Sequence, residues 1–171
     1  MSAGIADHRK SLKKVDVITL NFMQIMSSAF APSQTIPKTY TQFAENISPP
    51  LTFRDIPQGT ISLVLLMEDP DVPAIAGVPV WDHWVLFNIS PLIVELPENA
   101  KGIGTLGKNT RGGLAYSGPR PPDREHRYFF RLYALDTMLS VPAGSTKEQV
   151  IDAMNGHVLT EAELIGLCAP M

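Results

Sequence analysis

The chain has 171 residues, 44% hydrophobic and 18% charged, with a formal net charge of −3. That length and apolar content bury one substantial core and disfavour two, so a single domain over 1–171 is expected, with 1–14 as a flexible tail. The weak negative balance excludes whole-chain attraction to nucleic acid or anionic lipid and leaves any affinity for phosphate to a local cluster.

Prolines and glycines are scattered between apolar runs, which reads as turn punctuation in a strand-rich fold and not as disorder. The lone cysteine, Cys168, excludes an intrachain disulfide and a cysteine-rich zinc site, and fits a reducing, cytoplasmic setting. No apolar stretch approaches the ~18 to 20 residues of a membrane span, so no stable membrane insertion is expected. Arg9, Lys10, Lys13 and Lys14 before an apolar segment ending at Ala29-Phe30-Ala31 mimic a secretory leader. Asp16, Asn21 and Gln24 interrupt that segment, which leaves a periplasmic or secreted location as the minor alternative.

In chain order, Val15 to Phe30 reads as an early strand or strand pair, and Pro32 to Pro50 as loop, its prolines forcing extended backbone. Ile61 to Met67 is a continuous apolar run of strand length, suited to burial on both faces, and Asp69-Pro70-Asp71 ends it. Trp81 to Ile89 follows as a strand. Its period-2 geometry predicts Trp81, His83, Val85 and Phe87 on one face and Asp82, Trp84, Leu86 and Asn88 on the other, in a central position. Lys101 to Gly118 is glycine-dense loop, and Tyr128 to Leu135 is a strand rich in aromatic and aliphatic residues. Ser145 with Glu148 predicts a capped helix with an apolar side of Val150, Ile151 and Met154, stopped at Gly156. Val158 to Leu167 fits helix by its Glu-Ala-Glu-Leu and strand by its alternation. Many short strands without regular strand–helix alternation point to an all-β fold, an antiparallel β-sandwich with one or two minor helices.

Two segments carry polar groups on rigid backbone. Asp69 and Asp71 are two apart across Pro70, so they diverge: one can face a pocket while the other ties down the turn. His83 shares a face with Trp81; alone, such a histidine is more often a satisfied interior residue than a functional one. His126 and Tyr128 share a face after Gly118-Pro119-Arg120-Pro121-Pro122, and an imidazole beside a phenol and rigid N–H groups can bind an oxyanion without lysine or arginine. No activated nucleophile is visible, and Ser117 lacks the small-residue elbow that exposes a catalytic serine. A non-catalytic binding module without metal or cofactor is therefore the first reading. The enzyme alternatives are a two-histidine, one-carboxylate iron site of Asp69, His83 and His126, and a carboxylate-based hydrolase using Asp69 with another acid.

The blocks Asp69-Pro70-Asp71-Val72-Pro73, Trp81-Asp82-His83-Trp84-Val85-Leu86-Phe87-Asn88-Ile89, Tyr116-Ser117-Gly118-Pro119-Arg120-Pro121-Pro122 and His126-Arg127-Tyr128 resemble the signature of the phosphatidylethanolamine-binding protein family, in its bacterial and archaeal Raf kinase inhibitor-like branch. Ile36-Pro37, Tyr40-Thr41 and Asn46-Ile47-Ser48-Pro49-Pro50-Leu51 resemble that branch's N-terminal blocks. The resemblance implies a β-sandwich with a small pocket for phosphate, acetate or a phosphoethanolamine headgroup. Asp69, His83, His126 and Tyr128 would line it, the backbone of Gly118, Pro119 and Pro121 would form one wall, and Trp81 an apolar side. Asp71, Pro73 and Arg127 would support it. A protein target such as a kinase or serine protease is implied by the family, and a homodimer is compatible with it. The C-terminal Gly166 to Met171 lacks the aromatic or basic residue of many relatives, so no ligand contact carries over there.

Overall fold

The structure, a computed structural model, describes residues 22–171. Val15 to Asn21, the start of the expected early strand, and the 1–14 tail lie outside the described residues.

The strands are β1 (Gln24–Met26), β2 (Gln34–Thr35), β3 (Leu51–Arg54), β4 (Ser62–Asp69), β5 (Trp81–Ile89), β6 (Glu95–Leu96), β7 (Thr105–Leu106), β8 (His126–Leu135) and β9 (Val158–Cys168), with one α-helix among the described residues, α1 (Lys147–Met154), before β9. They form a three-stranded sheet in the order β1-β3-β6 and a six-stranded sheet in the order β2-β9-β8-β4-β5-β7. The expected all-β sandwich is what the chain adopts. It is antiparallel except where β2 pairs in parallel with β9 at Gly166 and Leu167.

Strand β4 explains the layering. Its alternate residues Leu63, Leu65 and Met67 join Ile25, Leu51 and Phe53 of the small sheet in the main core, together with Trp84, Tyr128, Phe130 and Leu132. Its other residues, Val64 and Leu66, join Val85, Phe87 and Leu135 under Val150 and Met154 of α1. A strand covered on both faces must be apolar throughout, and each such side chain contributes about 1.5–3 kcal/mol by leaving water. Ile61, placed in this run by sequence, lies just outside the strand and is exposed.

Three details differ from the sequence reading. Strand β5 has the expected bounds and is an internal strand, but it sits one strand from the sheet edge, between β4 and the two residues of β7; its apolar character reflects cover on both faces more than a place at the middle of the sheet. Its alternation is also broken. Met67 pairs with Trp84 and Glu68 with Asp82, so β5 holds an extra residue there, His83, in a bulge, and a second irregularity falls further along, between Leu63 and Leu65 of β4. His83 and Trp81 face the same cavity, whereas Val85 and Phe87 lie in the opposite core beneath α1, and Asp82 reaches Lys147 on that side. The helix cap falls one residue later than Ser145: Thr146 accepts from the Gln149 N–H while the Gln149 side chain receives the Thr146 N–H. Ser145 Oγ instead donates to the Pro142 carbonyl, and Ile151 is partly exposed. The ambiguous segment is strand β9, paired with β8 along its length. No described helix is long and apolar enough to cross a membrane.

Candidate functional site

At one end of the large sheet, the last residue of β4, the start of β5 and the start of β8 surround a cavity of about 210 Å³. Asp69, Trp81, His83, His126 and Tyr128 all line it, so two segments distant in sequence meet at one point. Asp69 and Trp81 are cross-strand partners, and β8 lies on the other side of β4. Short strand pairing thus fixes the spacing of the polar groups.

Asp69 is buried, and each of its oxygens has one protein partner. Its Oδ1 accepts the Asp71 N–H at 2.8 Å, an Asx turn that holds the Pro70 corner. Its Oδ2 lies 2.8 Å from His126 Nδ1. The other nitrogen of His126, Nε2, is 2.8 Å from Asp123 Oδ1, so this buried imidazole bridges two carboxylates and turns its ring, not a free nitrogen, to the cavity. The contact with His126 pulls the exposed Asp123 carboxyl below its usual range.

His83 is held differently. Its Nδ1 donates to the Ser117 carbonyl at 2.5 Å, since a carbonyl can only accept. Burial pushes its imidazole down to about 4, so near neutral pH the ring is uncharged and Nε2 carries a lone pair. Among the described residues no hydrogen bond reaches that nitrogen. Tyr128 meets His83 edge to face, with ring centroids 5.2 Å apart, and lies nearly parallel to His126 at 6.5 Å. Its hydroxyl is fully buried and makes no well-formed hydrogen bond among the described residues, although the Arg120 backbone approaches it, and burial pushes the phenol well up.

The remaining predicted residues take supporting or neighbouring places. Asp71 turns outward and grips Arg127 through the Arg127 N–H, Nε and Nη2 at 2.9, 2.8 and 2.8 Å, which holds its carboxyl at about 2. Pro73 lines the cavity itself. Gly118, Pro119 and Pro121 do not: they lie behind the wall. The Gly118 N–H donates to Asn46 Oδ1 and the Pro119 carbonyl accepts from Gln42. This packing requires glycine, because a Cβ at Gly118 would strike the Tyr40 carbonyl. The same segment's Arg120 and Pro122 face the cavity instead.

Sequence reasoning missed the two arginines. Arg120 stands between prolines in a block whose backbone alone drew a role, and Arg111 sits in the glycine-dense loop without any periodic signal. Arg111 Cζ stands 5.9 Å from the centre of the Trp81 ring, a cation–π contact at the cavity mouth. Asn109 shapes that loop by accepting the N–H groups of Arg111 and Gly113. Asp123 was also missed, although its place three residues before His126, after a double proline, was a usable signal. No residue after Cys168 lines the cavity.

The iron-site alternative does not fit these donors. His126 has both nitrogens committed, and no trio of His, Cys, Asp or Glu among the described residues is arranged to hold a metal ion. For the hydrolase alternative, no second carboxylate among the described residues lines the cavity with Asp69.

Comparison with known proteins agrees with this architecture. A family model described as phosphatidylethanolamine-binding protein matches residues 26–169. UPF0098 proteins are 47% identical in Chlamydia trachomatis and 49% in Methanothermobacter thermautotrophicus, covering 84% and 85% of this chain and 97% of each relative. Among solved structures, the phosphatidylethanolamine-binding protein homologue CT736 of Chlamydia trachomatis has a TM-score of 0.84 at 46% identity, covering 86% of this chain and 97% of its own. YbcL of E. coli, described as a member of the mammalian family, has a TM-score of 0.78 at 25% identity, covering 86% and 98%. A family match over most of the chain, close relatives covered almost end to end and the same sandwich show that this chain belongs to the phosphatidylethanolamine-binding protein family.

Proposed function

We propose that the cavity binds a small phosphorylated ligand, phosphate or a phosphoethanolamine headgroup, and that the protein is a binding module and not an enzyme. The observation that carries this reading is the Tyr128 hydroxyl, buried without a well-formed hydrogen bond among the described residues, in a cavity that His83 also lines. A buried hydroxyl left unsatisfied costs about 1–3 kcal/mol, which a ligand oxygen would recover. Arg111 and Arg120 at the mouth add charge for an anion.

The donor and acceptor pattern selects among anions. Tyr128 can donate, but Asp69 and neutral His83 Nε2 can only accept. A fully ionised phosphate would meet carboxylate repulsion at Asp69; a ligand that carries its own proton or an ammonium would not. Asp69 and His83 therefore favour monoprotonated phosphate or the ammonium of ethanolamine over a fully ionised ligand. The volume also limits the ligand: ~300–1,000 Å³ is usual for drug-sized molecules, and this cavity, at about 210 Å³, suits a headgroup and not a whole lipid.

The binding reading is also favoured by what surrounds Ser117. Its carbonyl accepts the hydrogen bond of the His83 Nδ1–H while its hydroxyl accepts from Gln42, so serine and imidazole do not form a nucleophile–base pair. Calorimetric titration with phosphate and with phosphoethanolamine from pH 5 to 8 tests the proposal. Phosphate affinity should fall as its second ionisation proceeds, and His83→Ala should weaken both ligands by about tenfold, the scale of one charge-assisted hydrogen bond. Affinity that rises with ligand charge, or is unchanged in His83→Ala, contradicts it.

A further inference from the structure

Directly behind the cavity, on the helix side of the large sheet, the chain sets two carboxylates against each other. Glu68 and Asp82 are cross-strand partners on β4 and β5, and each is the immediate neighbour of a cavity residue, Asp69 and His83. Like charges at directly opposed strand positions repel. Lys147, the first residue of α1, lies between them: its Nζ is 2.8 Å from Glu68 Oε1 and 2.6 Å from Asp82 Oδ1. Arg131 Nε, 3.0 Å from Glu68 Oε2, adds a second cation on the Glu68 side only. Asp82 Oδ1 makes no well-angled hydrogen bond among the described residues, so Lys147 is its counter-ion there.

This cluster is joined to the cavity by backbone. The Asp82 N–H donates to Thr110 Oγ1 at 2.7 Å and the Thr110 N–H donates back to the Asp82 carbonyl at 3.0 Å, one residue from Arg111 at the mouth. The pairing irregularity that admits His83 falls between Met67 and Glu68, at the very step where the two carboxylates face each other. Burial already raises the Asp82 carboxyl against the pull of Lys147. Without the ammonium, Arg131 would still serve Glu68 but Asp82 would be left largely buried beside it, and the pair would relax by taking up a proton or by parting the strands at the bulge. Parting them displaces His83 relative to Asp69.

We propose that Lys147 is a positioning residue for the cavity: by neutralising Glu68 and Asp82 it holds the His83 bulge closed and so fixes Asp69, His83 and Arg111 for the ligand. The ligand part rests on the anion-binding reading above, whereas the positioning part is visible without ligand.

The test compares Lys147→Met, Lys147→Arg and the double variant Asp82→Asn/Lys147→Met, which removes one of the opposed charges. Ring nitrogen correlations of His83 in ligand-free protein report positioning, phosphoethanolamine titration reports binding, and thermal unfolding reports the fold. Lys147→Met should shift the His83 ring signals and weaken phosphoethanolamine by about tenfold or more, the scale of one charge-assisted hydrogen bond, while Lys147→Arg and the double variant stay within about threefold of the parent. If Lys147→Met does not fold, recovery of folding and of parental ring signals in the double variant carries the same support, and a double variant that remains unfolded overturns the proposal. A folded Lys147→Met with parental ring signals also overturns it. Shifted signals in a protein whose parent binds neither phosphate nor phosphoethanolamine uphold the positioning role and overturn the ligand reading alone.

Discussion

Asp69 Oδ2 and His126 Nδ1, 57 residues apart in sequence, lie 2.8 Å from each other in the interior, and this one contact joins the proline corner after β4 to the start of β8. It is the junction on which the cavity is built, since Asp69 also holds the Asp71 amide and His126 also holds Asp123. Asp69→Ala should therefore destabilise the protein by about 3 kcal/mol, the scale of breaking a buried pair from one side. Asp123→Ala, which removes the exposed partner, should cost clearly less. Urea unfolding of both variants checks the order, and equal losses would contradict it.

The Tyr128 hydroxyl gives an unusual combination of expected effects. Tyr128→Phe removes a buried group that makes no well-formed hydrogen bond among the described residues, so the ligand-free protein should be unchanged or up to ~1 kcal/mol more stable. Denaturant midpoints of the free protein test this. A loss above 1 kcal/mol would mean that the hydroxyl already has a partner in solution.

Stability should fall on mild acidification because of His83. Its imidazole sits at about 4 when folded, against ~6.5 for an unfolded histidine. Between those values the unfolded chain binds more protons, so the stabilising contribution is complete above ~6.5 and is lost as the pH falls towards 4. The size is on the order of 3 kcal/mol. His83→Gln should lose correspondingly less stability between pH 7 and 4; parallel curves for parent and variant would rule out the buried neutral ring.

Asp71 acts at lower pH. The Arg127 guanidinium holds its carboxyl at about 2, against ~3.9 unfolded, so its contribution is present above ~4 and disappears as the pH falls to 2. Arg127 is half exposed, so solvent screening reduces the value to about 1 kcal/mol. Asp71→Asn should cost that much at pH 7, less in 1 M salt, and almost nothing at pH 2.

Gly118 contributes without touching ligand. A methyl group there meets the Tyr40 carbonyl, Asn46 Oδ1 and Thr41 Cα, none of which can yield easily. Gly118→Ala should cost ~1–3 kcal/mol by overpacking and should also weaken ligand binding, because the displaced segment carries Arg120 and the Ser117 carbonyl that holds His83. Thermal unfolding and a phosphate titration of the same sample measure both.

Strands β4, β5 and β8 were legible because continuous apolar runs of that length have few other uses. The alternation within β5 was not, since a bulge inserts one residue without changing composition, and only pairing with β4 shows that His83 is the extra one. Strand β9 was ambiguous for a physical reason: it lies near the sheet edge, with Thr160, Glu161 and Glu163 at least partly exposed, so burial does not enforce a clean period. At the site, the motif residues were legible by type and spacing. Arg111 and Arg120 were not, because loops bring them to the mouth through contacts such as those of Asn109 that no local pattern encodes.

The most direct test of the central claim is phosphoethanolamine titration of the parent and Tyr128→Phe by two-dimensional NMR. The account predicts saturable shifts centred on His83, Tyr128 and Arg111 in the parent and about tenfold weaker binding in the variant. Equal affinity in both proteins, or shifts centred away from these residues, would contradict it.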